Sequence, residues 1–130
     1  MAKKKYLITG GLGLIGSTLA NSLQGEVIVV ARNKKNKDRI IRNDVTYLFK
    51  PFQKLTEKEL QGVDIIFHCA STVDNYTIQT DPYADVKTNI EGTISLLETI
   101  KTMTKKPKII YLSTFFVYGH EHDRTQETRY

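Results

Sequence analysis

Residues 6–16 read Tyr6-Leu7-Ile8-Thr9-Gly10-Gly11-Leu12-Gly13-Leu14-Ile15-Gly16. An apolar run of strand length passes through a cluster of glycines into the first positions of a helix. Gly11-Leu12-Gly13-Leu14-Ile15-Gly16 is a literal G-x-G-x-x-G. Glycine at the second position lets a ligand approach the backbone, and glycine at the third lets the helix pack against the strand. The start of that helix offers free N–H groups and a positive dipole end, so a strand, this loop and a helix in that order imply a dinucleotide pyrophosphate site. No Gly-Lys-Ser/Thr follows, which excludes a Walker-type nucleotide loop.

Outward from this loop a strand and a helix keep alternating. Tyr6–Thr9 predicts the first strand and Leu14–Leu23 the first helix. Val27-Ile28-Val29-Val30 is continuously apolar and β-branched, the pattern of a strand buried on both faces. A polar stretch from Arg32 to Asp44 has room for one helical turn. Val45–Phe49 is a third strand stopped by Pro51, Leu55–Leu60 a short helix, and Asp64–Cys69 a fourth strand. After Asp81-Pro82 a helix is expected over Tyr83–Met103, with Val86, Ile90, Ile94, Leu97 and Ile100 as its apolar face. Lys108–Ser113 is the fifth strand. Alternation of this kind predicts an α/β fold, a doubly wound parallel sheet of order 3-2-1-4-5.

A chain of 130 residues, 40% hydrophobic and 25% charged, is one globular domain's worth of protein. Its net charge of +5 falls into three basic clusters, Lys3–Lys5, Arg32–Arg42 and Lys105–Lys108. The first and third each precede a strand, so in a parallel sheet both lie at the edge opposite the glycine loop. Without interleaved aromatic residues they read as a solvated rim, and no nucleic acid partner is expected. No apolar run is long enough for a membrane span or a signal-peptide core, and Cys69 stands alone. A cytoplasmic protein is expected.

With its neighbours the loop reads Thr9-Gly10-Gly11-Leu12-Gly13-Leu14-Ile15-Gly16, which resembles the T-G-x-x-G-x-x-G of the extended short-chain dehydrogenase/reductases, the branch of NAD-dependent epimerases and dehydratases. Three later stretches agree. His68-Cys69-Ala70-Ser71 is similar to the family's H-x-A-A. Asn89-Ile90-Glu91-Gly92-Thr93, running into Leu96-Leu97-Glu98, matches N-x-x-G-T-x-x-L-L-E. Ser113-Thr114-Phe115-Phe116-Val117-Tyr118-Gly119 resembles S-[ST]-x-x-V-Y-G. The four motifs come in the family's order and cover nearly the whole chain. The resemblance implies a Rossmann-type sheet holding NAD or NADP, and a nucleotide sugar as substrate of the full-length protein. In the family the nicotinamide takes a hydride from a sugar carbon while a tyrosine, helped by a lysine, takes the hydroxyl proton.

Carried over by position, the resemblance gives Gly10, Gly13, Leu14, Ile15 and Gly16 contact with the pyrophosphate. Ala70 and Ser71 would line the nicotinamide side, with Asn89 close behind, and Thr114 would polarise a sugar hydroxyl or keto oxygen. On their own residue types, Asn89 equally suits a hydrogen bond to a neighbouring strand and Thr114 a turn cap. Two positions depart from the family. Where an acidic residue usually accepts the adenosine ribose hydroxyls, Ala31-Arg32-Asn33-Lys34-Lys35 stands instead. A guanidinium grips a 2′-phosphate that a carboxylate would repel, so Arg32 and Asn33 favour NADP over NAD. At the end of the third strand, Lys50 takes the place of the family's adenine-contacting Asp.

The family's Tyr-x-x-x-Lys pair belongs on a helix after the fifth strand. Tyr83-Ala84-Asp85-Val86-Lys87 has the spacing, but on the preceding helix and at a frequency chance supplies. The expectation is therefore an amino-terminal, cofactor-binding portion truncated after strand five, without the substrate domain, inactive alone and prone to form a homo-oligomer through uncovered surface. A non-catalytic, NAD(P)-binding regulatory module is the alternative. No metal site is expected, since His120-Glu121-His122-Asp123 reads as a solvated turn. Asn75-Tyr76-Thr77 fits a glycosylation sequon of no consequence in the cytoplasm, and Cys69 reads as a packed thiol.

Overall fold

The strand leading into the glycine loop, β1 (Lys5–Thr9), is the centre of a five-stranded sheet. A computed structural model describes residues 3–72, 79–114 and 117 of the chain. β1 pairs in parallel with β2 (Glu26–Ala31) on one side, Leu7 opposite Ile28, and with β4 (Ile65–His68) on the other, Leu7 opposite Ile66. β3 (Val45–Phe49) flanks β2 and β5 (Lys108–Tyr111) flanks β4, so the order is β3-β2-β1-β4-β5, as the alternation predicted.

Period-two alternation sorts the strand residues onto two covered faces. Ile8, Val27 and Val29 pack with Leu12, Ala20 of α1 (Leu14–Ser22) and Ile40. Leu7, Ile28, Val30 and Ile66 face the other way, against Phe52, Leu60 of α2 (Glu57–Leu60), and Leu96 and Ile100. The polar stretch after β2 makes its single helical turn at Lys37–Arg39. A second 3₁₀ turn, Phe52–Lys54, precedes α2, which begins at Glu57 after the Thr56 cap instead of at the expected Leu55.

The stretch expected as one helix over Tyr83–Met103 has three parts: α3 (Tyr83–Asp85), a π-helical segment Val86–Glu91, and α4 (Gly92–Thr102). Its apolar face needs correcting. Tyr83, Val86, Ile90, Ile94 and Leu97 are exposed, and only Ile100 of the expected face is buried. Gly92, Leu96 and Ile100 make the buried side instead. The reason is steric. A Cβ at Gly92 would lie 2.8 Å from the Phe52 ring and 2.9 Å from Gln53, so the small residue selects which side of the helix reaches the 52–54 turn.

Asp64 sits between the two basic clusters expected to share an edge. Its carboxylate accepts the Lys5 backbone N–H at 2.9 Å and lies 3.7 Å from the Lys105 ammonium, while its carbonyl accepts the Lys108 N–H. The Lys5 hydrogen bond is the main cause holding its carboxyl below the usual range. Among the described residues no helix is long and apolar enough to cross a membrane.

Candidate cofactor-binding site

Five chain segments, four at the carboxyl ends of β1 to β4 and the fifth from Lys87 to Ser95, form a cleft of about 770 Å³, where ligands of open α/β sheets bind. Gly10 and Gly13 of the first loop, Arg32 and Asn33 after β2, and Ala70 and Ser71 after β4 all line it. Six of the residues marked out by sequence are thus brought together. Leu14 and Ile15 are exposed in the first turn of α1, beside the loop.

Backbone sterics explain the glycines. Gly10 has φ +64°, and a Cβ there would stand 2.9 Å from the Ala70 backbone. A Cβ on Gly16 would stand 2.5 Å from the Gly10 carbonyl oxygen, so α1 starts in direct contact with the loop. The turn closes through Gly13 N–H donating to the Gly10 carbonyl at 2.9 Å. Gly13 is the N-cap, provides no side-chain cap, and no acidic residue stands in the first turn. The N–H groups of Leu14, Ile15 and Gly16 belong to that first turn, which an anion satisfies well. Together with the cleft's size and cationic lining, this donor set fits a dinucleotide.

The flank of the cleft around Arg32 is built from β2, β3 and the loop between them. Asn33 Oδ1 accepts the Lys35 N–H at 2.9 Å, and Asn36 takes φ 63°, so the chain turns sharply here. Lys37 lies 4.7 Å from the centroid of Tyr47, which stacks on Phe49. Arg39 reaches from the 3₁₀ turn to donate to the Leu12 carbonyl at 3.3 Å, tying this loop to the glycine loop. Lys50 lines the cleft with its ammonium 2.7 Å from Glu59, and that pairing is the main cause holding the Glu59 carboxyl below its ordinary range.

Behind Ala70 and Ser71 the wall is fastened from two directions. Asn89 accepts the Thr72 N–H and donates to the Thr72 carbonyl, each at 2.9 Å, and Thr72 Oγ1 donates to Asp85. Asn89 therefore holds the loop that follows β4, and it is not among the residues lining the cleft. His68, 3% exposed, lies between Thr9 Oγ1 at 2.7 Å and Thr93 Oγ1 at 3.2 Å. Cys69 also lines the cleft, and burial pushes its thiol up to about 11.

Thr114 is exposed beyond β5, its carbonyl accepting the Val117 N–H. Tyr83 is 77% exposed and away from the cleft, whereas Lys87 lines it, so the two do not converge. His120, Glu121, His122 and Asp123, the Asn75–Thr77 sequon, Phe115, Phe116, Tyr118 and Gly119 lie outside the described residues. Sequence reasoning missed Lys54, Lys87 and Glu91 as cleft-lining residues. Nothing in a linear reading brings the 52–54 turn against α4. His68 was more accessible, because it shares the buried face of Ile66 two residues earlier.

The comparisons with known proteins agree with this geometry. The NAD dependent epimerase/dehydratase family matches over residues 6–130. CDP-paratose 2-epimerase of Salmonella typhi is 32% identical over 152 residues, covering 97% of this chain and 42% of its own length. An NAD-dependent NDP-hexosamine 5,6-dehydratase of tunicamycin biosynthesis superposes with a TM-score of 0.73 at 30% identity, over 90% of this chain and 39% of that one. A UDP-N-acetylglucosamine 4-epimerase from Methanobrevibacter ruminantium M1 shares the fold with a TM-score of 0.82 at 23% identity, over 98% and 43%. The chain thus spans about two-fifths of the length of the relatives it matches. From its glycine loop, its sheet and this match, the chain belongs to the NAD-dependent epimerase/dehydratase family.

Proposed function

We propose that this chain is the cofactor-binding portion of an enzyme that epimerises or dehydrates a nucleotide sugar. One observation carries the reading: a single cleft gathers the helix start at Gly13, the Arg32–Asn33 corner and the Ala70–Ser71 wall, in a chain of this family. In this reading Gly10 and Gly13, with the N–H groups of Leu14, Ile15 and Gly16, hold the pyrophosphate. Arg32 and Asn33 hold the adenosine ribose, Ala70 and Ser71 flank the nicotinamide with Asn89 supporting them, and Thr114 offers its hydroxyl to a sugar oxygen. A bound nicotinamide supplies the hydride acceptor. The chain's own contribution is to orient it and shield it from water.

NADP is favoured over NAD, because Arg32 stands where a carboxylate would face the ribose, with Lys35 in the same cleft. The one Tyr-x-x-x-Lys spacing in the sequence is Tyr83/Lys87, and its tyrosine lies away from the cleft. Residues 1–130 alone are accordingly expected to bind cofactor without turnover. The exposed row Tyr83, Val86, Ile90, Ile94 and Leu97 suits self-association into a homo-oligomer, and the free Cys69 suits the cytoplasm.

Calorimetric titration of NAD and NADP into the chain and its Arg32→Ala variant tests this, alongside nicotinamide absorbance assays with a panel of nucleotide sugars. NADP should bind more tightly than NAD, and the variant should lose the difference. NAD binding at least as tight as NADP would overturn the preference. Steady-state turnover by residues 1–130 would overturn the assignment of the proton relay elsewhere. Cofactor binding by the natural protein, with no sugar converted, would favour a regulatory module.

A further inference from the structure

His68 lies in a chain of hydrogen bonds whose direction can be worked out from its two ends. Thr93 Oγ1 donates to the Asn89 carbonyl one turn earlier, at 2.7 Å, so its single proton is spent. It can only accept from the ring, and the proton between them must therefore sit on His68 Nε2, 3.2 Å away. A neutral ring then leaves Nδ1 bare. At that side Thr9 Oγ1 accepts the Ala70 N–H at 3.3 Å and donates its own proton to Nδ1 at 2.7 Å. Ala70 N–H, Thr9, His68, Thr93 and the Asn89 carbonyl thus form one directed relay in which each hydroxyl gives once and accepts once.

What this relay joins lies beside the cleft on three sides. Thr9 is the residue before Gly10, Ala70 is part of the cleft wall, and Asn89 holds Thr72 by both ends of its amide. We propose that His68, kept neutral with its proton on Nε2, is a positioning residue for the cofactor cradle. It ties the glycine loop to the wall after β4 and to the π-helical segment, and the cradle loosens when the ring takes a second proton. The proposal rests on reading the cleft as a cofactor site.

A second proton on Nδ1 would face the Thr9 hydroxyl, which must then turn its own proton elsewhere inside a buried site. Among the described residues no carboxylate pairs with the ring. Phe52 of the 3₁₀ turn meets the ring edge-on at 4.9 Å and Tyr111 of β5 lies at 5.6 Å between centroids. On β1 and α4 the facing groups are the neutral hydroxyls of Thr9 and Thr93, and on the chain's own side the Cys69 thiol follows. Burial alone lowers the ring's pKa, with no charged partner contributing.

Nitrogen-detected NMR of the ¹⁵N-labelled chain, with His68 assigned through His68→Gln, reads the tautomer directly. Cofactor titrations from about pH 8 to about pH 5 read its consequence. They are run with NAD as well as NADP, because a 2′-phosphate itself titrates near about pH 6. The expected result is a proton on Nε2 at neutral pH and NAD binding that weakens about five- to tenfold as the ring becomes doubly protonated. His68→Gln, which cannot take that proton, should give a flat profile. Thr93→Ser should behave as wild type, and Thr93→Val should bind weakly at every pH. A proton on Nδ1 at neutral pH would overturn the proposal, as would NAD affinity unchanged while the ring protonates. Absence of any cofactor binding at about pH 8 would overturn the cofactor reading and the positioning role with it. The tautomer signal would show separately whether the relay itself exists.

Discussion

Asn89 and Thr72 hold each other twice, amide oxygen to N–H and amide nitrogen to carbonyl, both at 2.9 Å across 17 residues of chain. A backbone pair satisfied by one side chain is a stringent arrangement, because only the carboxamides of Asn and Gln carry a donor and an acceptor on one carbon, and that of Gln stands one methylene farther out. Asn89→Asp keeps the acceptor, loses the donor, and adds a charge near Asp85. We expect it to cost at least as much stability as Asn89→Ala, on the order of 1–3 kcal/mol, read by urea denaturation. A neutral Asn89→Asp would show that the clamp is dispensable.

The glycines should rank by what a methyl group would meet. Gly16→Ala drives a Cβ to 2.5 Å from backbone, and Gly10→Ala combines a 2.9 Å clash with φ +64°. Gly62, at φ +75° with open space around it, faces only the left-handed penalty. Thermal melts should place Gly62→Ala about 1–2 kcal/mol below wild type and the other two clearly lower. Gly62→Ala as damaging as Gly16→Ala would contradict the packing argument.

Arg42 fastens the end of α1. Its guanidinium donates to the carbonyls of Ala20, Leu23 and Gly25 and to both oxygens of Asp44, whose carboxyl is held at about 2 mainly by that pairing. A lysine is a point charge on a flexible stem and cannot reproduce this fork. Arg42→Lys should therefore recover little of the stability lost in Arg42→Ala, about 1–3 kcal/mol by denaturant titration. Full recovery would assign the effect to charge at a helix terminus.

Stability should fall on acidification in two stages. His68 has a folded pKa below its ordinary 6.5, so the unfolded chain binds more protons as pH drops through that value, and folding loses stability from there downward. Asp44, Asp64 and Glu59 are depressed carboxyls, whose contribution is present above their ordinary 3.8 to 4.5 and lost below it. Denaturation midpoints measured against pH should show the upper stage vanish in His68→Gln and the lower one persist. An upper stage unchanged in that variant would assign it to other groups.

The sheet was legible because its signals are local. Val27–Val30 can only be a strand covered on both sides, and the glycine run between Thr9 and Gly16 admits few turns. The helix face was not, since Val86, Ile90, Ile94 and Leu97 carry a good apolar period and yet lie outward. The deciding contact, Gly92 against Phe52, joins residues far apart in sequence. Asn89 shows the same limit: its residue type admitted both a ligand contact and a hydrogen bond to a neighbouring segment, and only the fold brings it to Thr72. Lys50 read as a lost adenine contact, and its Glu59 partner emerges once α2 is placed.

Backbone amide shifts of the ¹⁵N-labelled chain, followed while NADP is added, test the central claim most directly. The account predicts saturable changes concentrated at Gly10–Gly16, Arg32–Asn36 and Cys69–Thr72, the cleft segments that carry the proposed cofactor contacts. Changes confined to the lysine-rich edge around Lys5 and Lys105, or no saturable change at all, would contradict it.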